Sequence, residues 1–149
     1  MIDALIGLAI ASMLSSLFIA GTASAVRISR EHARALQAEL LLVELVEVLR
    51  DIEYRATSDP FADCSVACHP TSQGGEWVLR EHSETVFGRF GRSIKIDPVF
   101  RDEATKEPDP TGALDPNSFK AVATVSWQSS GVSKDISLET YVYDLYERW

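Results

Sequence analysis

Apolar and polar positions divide the chain into stretches of different period. Residues 2–26 are apolar almost without a break and carry one ionisable side chain, Asp3. A helix of that length rises about 37 Å, enough to cross a hydrocarbon core of about 30 Å with some tilt. From residue 27 onward the apolar positions thin to a stripe. Ala35, Ala38, Leu42, Leu45, Leu49, Ile52 and Ala56 recur at alternating spacings of three and four, which is the helical period. Leu41 and Val48 widen the stripe, while Glu44, Glu47 and Asp51 lie on the opposite side. Glycine and proline are absent from 22 to 59, and Thr57-Ser58-Asp59-Pro60 supplies a stop signal. The pattern predicts one helix over 2–56, apolar all round in its first half and amphipathic in its second.

The remainder reads as short strands. Residues 77–82 and 93–96 are candidates, each bounded by glycine or proline. A final hairpin is clearer: Ala121, Ala123, Val125 and Trp127 share one face of 121–128. In 136–143, Ile136, Leu138, Thr140 and Val142 alternate with Ser137, Glu139, Tyr141 and Tyr143. Ser129-Ser130-Gly131 supplies the turn, and more than two linking residues are expected. One hairpin is marginal in water, whereas four strands over an amphipathic helix hold together. Residues 101–117 contain Glu107-Pro108, Asp109-Pro110 and Asp115-Pro116, steps that disfavour helix and predict an exposed loop. Its acids lack the spacing of a calcium loop and read as a solvated segment. The expected fold is α+β, a long N-terminal helix packed on a small antiparallel sheet. Its parts are 1–26 (apolar half-helix), 27–59 (amphipathic half-helix) and 60–149 (sheet-bearing head).

The formal net charge of -8, from 22 acids against 14 bases, disfavours a nucleic-acid partner, because an acidic surface repels a phosphate backbone. The first apolar segment has several readings. Ala23-Ser24-Ala25 matches a signal-peptidase pattern, which gives the alternative of an exported soluble binding module with a cleaved N-terminal signal. Against it, the first charge is acidic and the apolar run exceeds the usual signal length. A third reading is a monotopic or single-pass anchored scaffold. Arg27, Arg30 and Arg34 follow the segment and no positive side chain precedes it. Counted so, the positive-inside rule puts the C-terminal part in the cytoplasm, and a basic leader ahead of Met1 would reverse the count. Asp3 stands where a helix N-terminus stabilises an anion, and equally where an intramembrane carboxylate is functional.

The stretch Ile2-Asp3-Ala4-Leu5-Ile6-Gly7-Leu8-Ala9-Ile10 resembles the N-terminus of type IV pilins and type II secretion pseudopilins, and the final hairpin is similar to the C-terminal region of minor pilins. In that family a prepilin peptidase removes a basic leader ending in glycine, the new N-terminus is methylated, and an acid stands fifth in the mature chain. Here the acid is third and is Asp rather than Glu: either two mature residues and the leader precede Met1, which then stands at the family's third position, or the mature chain begins at Met1 with its acid shifted. The resemblance implies a single-pass inner-membrane subunit with its head outside the cytoplasm. An assembly platform with a cytoplasmic ATPase then draws it into a pilus-like or secretion filament (extracellular or periplasmic), where apolar half-helices form the shared core. Asp3 would there meet the N-terminal amine of a neighbouring subunit. The aromatic C-terminus, 141–149, reads either as a contact for specific partners, as in a minor pilin, or as a completion of the core.

Cys64 and Cys68 are the only cysteines. In an exported head their even number predicts one disulfide closing a small loop, with modest stabilisation. In a cytosolic head they would be free thiols. Three intervening residues do not fit a Cys-X-X-Cys redox motif. Zinc is a further alternative, completed by His69 and His82, although adjacent Cys68 and His69 point awkwardly for one tetrahedral site. His32, His69 and His82 are scattered, with no nucleophile motif and no phosphate-cradling glycine loop. The chain therefore reads as a structural subunit rather than an enzyme, with no cofactor or metal.

Overall fold

The computed structural model describes residues 2–55, 64 and 66–143. The chain is α+β, with one long N-terminal helix and a single antiparallel sheet of six strands. Helix α1 runs unbroken over Ile2–Arg55. Its residues belong to two compact units, Met1–Gln37 and Ala38–Trp149.

The first unit is helix alone. Its large apolar side chains are open to the surroundings, with Leu8 72% and Phe18 74% exposed. The hydroxyls within it bond back to the helix: Ser15 Oγ donates to the Ala11 carbonyl at 2.8 Å, Ser16 Oγ to Met13 at 2.8 Å and Thr22 Oγ1 to Ile19 at 2.9 Å. The backbone is satisfied by the helix and these side chains by the backbone, as a non-aqueous solvent requires.

In the second unit the predicted stripe is the buried face. Ala38, Leu41, Leu45, Val46, Val48, Leu49 and Ile52 lose nearly all contact with water. The sheet supplies the opposing layer through Phe90, Ile94, Ala121, Ala123, Val125, Trp127 and Val142, all buried. Helix on sheet is the least arrangement that hides both apolar surfaces. The strands are β1 (Cys68–Gln73), β2 (Glu76–Glu81), β3 (Glu84–Val86), β4 (Phe90–Arg101), β5 (Ala113–Ser129) and β6 (Val132–Tyr143), in the order β2-β1-β4-β5-β6. β3 pairs with the start of β4, opposite Phe90 to Arg92, and β1 meets the same edge further along, Cys68 opposite Ile94.

Several expectations need correction. Two strands escaped the sequence pattern, β1 and β3, and the two candidates 77–82 and 93–96 are β2 and the middle of a much longer β4. The last hairpin turns through two residues, not more: Ser129 pairs with Val132 across Ser130 (φ 51°) and Gly131 (φ 79°). Two successive positive φ angles are the type I′ geometry whose twist suits a tight hairpin. The proline-rich segment is a shorter loop than expected, because β4 reaches Arg101 and β5 already begins at Ala113. The pairing slips between Pro98, opposite Phe119, and Val99, opposite Asp115, so 116–118 bulge from β5 and keep Pro116 off the ladder. Glu44, placed on the solvent side by the helical pattern, instead reaches the sheet. The predicted helix stop at 57–60 and most of the aromatic C-terminus (144–149) fall outside the described residues.

Candidate functional site

Asp3 lies in the first turn of α1 and is exposed. Its neighbours along the helix are apolar and equally uncovered, among them Ile2, Leu5 and Ile6. A carboxylate there is stabilised by the free N–H groups of the first turn while water or headgroups are near. Carried into an apolar environment it needs a cation, since an unpaired buried charge costs several kcal/mol. The first basic side chain after it is Arg27.

Cys64 and Cys68 are joined as a disulfide with Cα atoms 5.8 Å apart, and both are buried. Cys68 opens β1 opposite Ile94, and Cys64 Sγ lies 3.8 Å from the Ile94 carbonyl oxygen. The link therefore fixes the chain leaving the helix against the middle of β4. Sulfurs bonded to each other are not thiolates, so the zinc arrangement with His69 and His82 does not form in this state. The two histidines are nevertheless close: His69 Nδ1 is 3.0 Å from the His82 carbonyl oxygen, and His82 N–H donates to the Ala67 carbonyl at 2.7 Å. These bonds hold His82 at φ 83°, outside the conformations a side-chain-bearing residue prefers. His32 lies on α1.

Two acids of the loop between β4 and β5, Asp102 and Asp109, bond to the loop itself. Asp102 Oδ1 accepts from the Ala104 and Thr105 amides at 2.9 and 2.7 Å, and Asp109 Oδ1 accepts from the Thr111 amide at 2.8 Å. The Thr105 amide, then the Ala104 amide, holds the Asp102 carboxyl below the usual range, and the Thr111 amide does the same for Asp109. Among the described residues no group of three or more His, Cys, Asp or Glu side chains is arranged to hold a metal ion.

One cluster was not anticipated. Arg92 is buried in the sheet, and its guanidinium contacts Glu84 at 2.6 Å and Glu44 at 3.0 Å. The only sequence signal was a basic residue alternating with Phe90 and Ile94 on an apolar strand face.

By length and composition α1 is able to cross a membrane, and it is the one such helix among the described residues. No protein-family model, curated protein or solved structure matches the chain.

Proposed function

We propose that the chain is a filament subunit of the pilin or pseudopilin kind, a minor one in preference to the major one. The observation that carries the reading is the contrast along α1. From Ala38 to Ile52 one face is buried on the sheet, while the apolar side chains of the first unit are half to three-quarters exposed. An uncovered apolar surface of that extent marks a membrane or protein contact. A bilayer covers it first, and neighbouring half-helices cover it afterwards. The head stands outside the cytoplasm, prepilin peptidase acts at the N-terminus, and the assembly platform moves the subunit from inner membrane to filament. Asp3 sets the stagger, because only a subunit whose terminal amine reaches it relieves the cost of a desolvated carboxylate.

The test is incorporation of an Asp3→Ala chain into filaments beside the wild type, with head folding followed by tryptophan fluorescence, to which Trp77, Trp127 and Trp149 contribute. Loss of incorporation with an unchanged head supports the reading; equal incorporation removes Asp3 from the mechanism. Mass spectrometry of the native N-terminus adds an independent check. Methylation close to Met1 supports a pilin, whereas a chain starting at Val26 returns the exported binding module.

A further inference from the structure

Three arginines follow the apolar run on one side of α1. Arg27, Arg30 and Arg34 are spaced three and four apart within an unbroken helix, so they fall within an arc of about 60°. Arg27 and Arg30 are exposed and Arg34 is half-buried. Helical side chains lean toward the N-terminus, which here aims all three guanidinium groups back at the end of the apolar run. Long basic side chains so placed run their stems along apolar surface and hold their charge at the headgroup level. Glu31 is the one acid between residues 27 and 34, so the turn stays positive in a chain whose net charge is -8. At the other end of the run the ionisable side chain is Asp3.

We infer that Arg27, Arg30 and Arg34 form a binding site for the phosphate of an anionic phospholipid at the boundary of the membrane segment. Planar guanidinium groups suit phosphate oxygens, and three on one face engage a headgroup from more than one side. The inference rests on the first half of α1 lying in a bilayer and is independent of filament assembly and of which side the head faces. The site holds α1 at a fixed depth and favours anionic lipid around the chain.

The full chain in neutral detergent micelles is titrated with dioctanoyl phosphatidylglycerol, dioctanoyl phosphatidylcholine and inorganic phosphate, and flotation with phosphatidylcholine vesicles reports insertion separately. The expected result is saturable phosphatidylglycerol binding, weakened about fivefold by each Arg→Gln change. R27Q/R30Q/R34Q should lose at least about tenfold, R27K/R30K/R34K should keep the charge but only part of the affinity, and Arg50→Gln should change nothing. Circular dichroism confirms that each variant retains its helix. Equal binding by wild type and the triple Gln variant, with both floating, overturns the arginine site alone. Displacement of the lipid by equimolar inorganic phosphate overturns the lipid as its ligand, and a wild-type chain that does not float overturns the bilayer reading with it.

Discussion

Arg92 Nη1 sits 3.0 Å from Glu44 Oε1, and this pair ties the sheet to the helix across their apolar interface. The same guanidinium meets Glu84 through Nε at 2.6 Å, so a strand-borne charge is compensated from β3 and α1 together. The arginine side chain is 9% exposed and its partners 47% and 38%, so the cost of a missing partner falls chiefly on Arg92. Either glutamate alone still offers it a counter-charge. Glu44→Gln or Glu84→Gln should therefore cost about 1 kcal/mol each, while the double variant should exceed their sum and approach about 3 kcal/mol. Urea unfolding of the four chains in a double-mutant cycle measures this, and strict additivity would show that the two carboxylates do not share one task.

The turns give predictions of opposite sign. A Cβ on Gly112 would collide with the Arg101 backbone carbonyl, so Gly112→Ala must move the loop where it rejoins the sheet. Gly131 has open space around it, and there only the left-handed φ of 79° resists a side chain. Gly112→Ala should cost more than Gly131→Ala, for which about 1 kcal/mol is expected.

Phe87 runs the other way. It is 74% exposed and held at φ 52° in the turn between β3 and β4, where Arg89 N–H donates to the Val86 carbonyl at 3.2 Å. A bulky side chain gains nothing there from burial and carries the strain of a positive φ. Phe87→Gly should raise the unfolding midpoint, with a gain of up to about 1 kcal/mol. A lower midpoint would mean that the ring makes a contact worth more than the strain.

These turns also mark where the sequence was hard to read. The last hairpin and the helix stripe were legible because burial on one face forces a period, two for β5 and β6 and 3.6 for α1. β1 has no such period: Cys-His-Pro-Thr-Ser-Gln is built by pairing with β2 around Gly74 and Gly75, both at positive φ, and the Gly-Gly step was its only signal. β3 has three residues and no pattern of its own. Asp115-Pro116 read as loop because an X-Pro step disfavours helix and a proline has no N–H to give a ladder, and the slip opposite Val99 is how the sheet admits it. Glu44 deceived for another reason: a helical wheel assigns faces, but a long side chain at the flank of the stripe reaches across to a buried charge. Of the candidate site, Asp3 was visible as an acid out of place in an apolar run. The Arg92 cluster depends on how α1 packs on β4, 48 residues away along the chain, which no local pattern encodes.

Acid should loosen the loop between β4 and β5 before it unfolds the head. The bonded forms of Asp102 and Asp109 are the ionised ones, and the Thr105 and Thr111 amides lower their folded values. A depressed carboxylate contributes stability that is present above its unfolded value of about 3.9 and is lost as pH falls through the lower folded value. Both groups lie at the surface, so the effect is local. Amide exchange at Ala104, Thr105 and Thr111 should accelerate, relative to its intrinsic acid dependence, below about pH 4. Asp102→Asn should abolish that step at Ala104 and Thr105 and leave it at Thr111. A single step shared by all three amides would instead report global unfolding.

The disulfide is the remaining constraint whose size is readable in advance. Cys64 and Cys68 are four apart, so the ring they close is small and removes little freedom from the unfolded chain. The loop-closure relation assigns a ring of that size about 2 kcal/mol, against about 3 kcal/mol for fifteen residues. Both sulfurs are buried, and Cys68 pairs with Ile94 in the strand that also carries Arg92, so relaxation here should reach the helix–sheet contact. Cys64→Ala with Cys68→Ala avoids burying a hydroxyl and should lower stability in urea by about 2 kcal/mol. Dithiothreitol added to the wild-type chain should reproduce most of that loss and add nothing to the variant. If reduction leaves the wild-type midpoint unchanged, the backbone bonds from Ala67 to His82 and the burial of Cys68 already hold this corner, and the covalent link is redundant in the folded head.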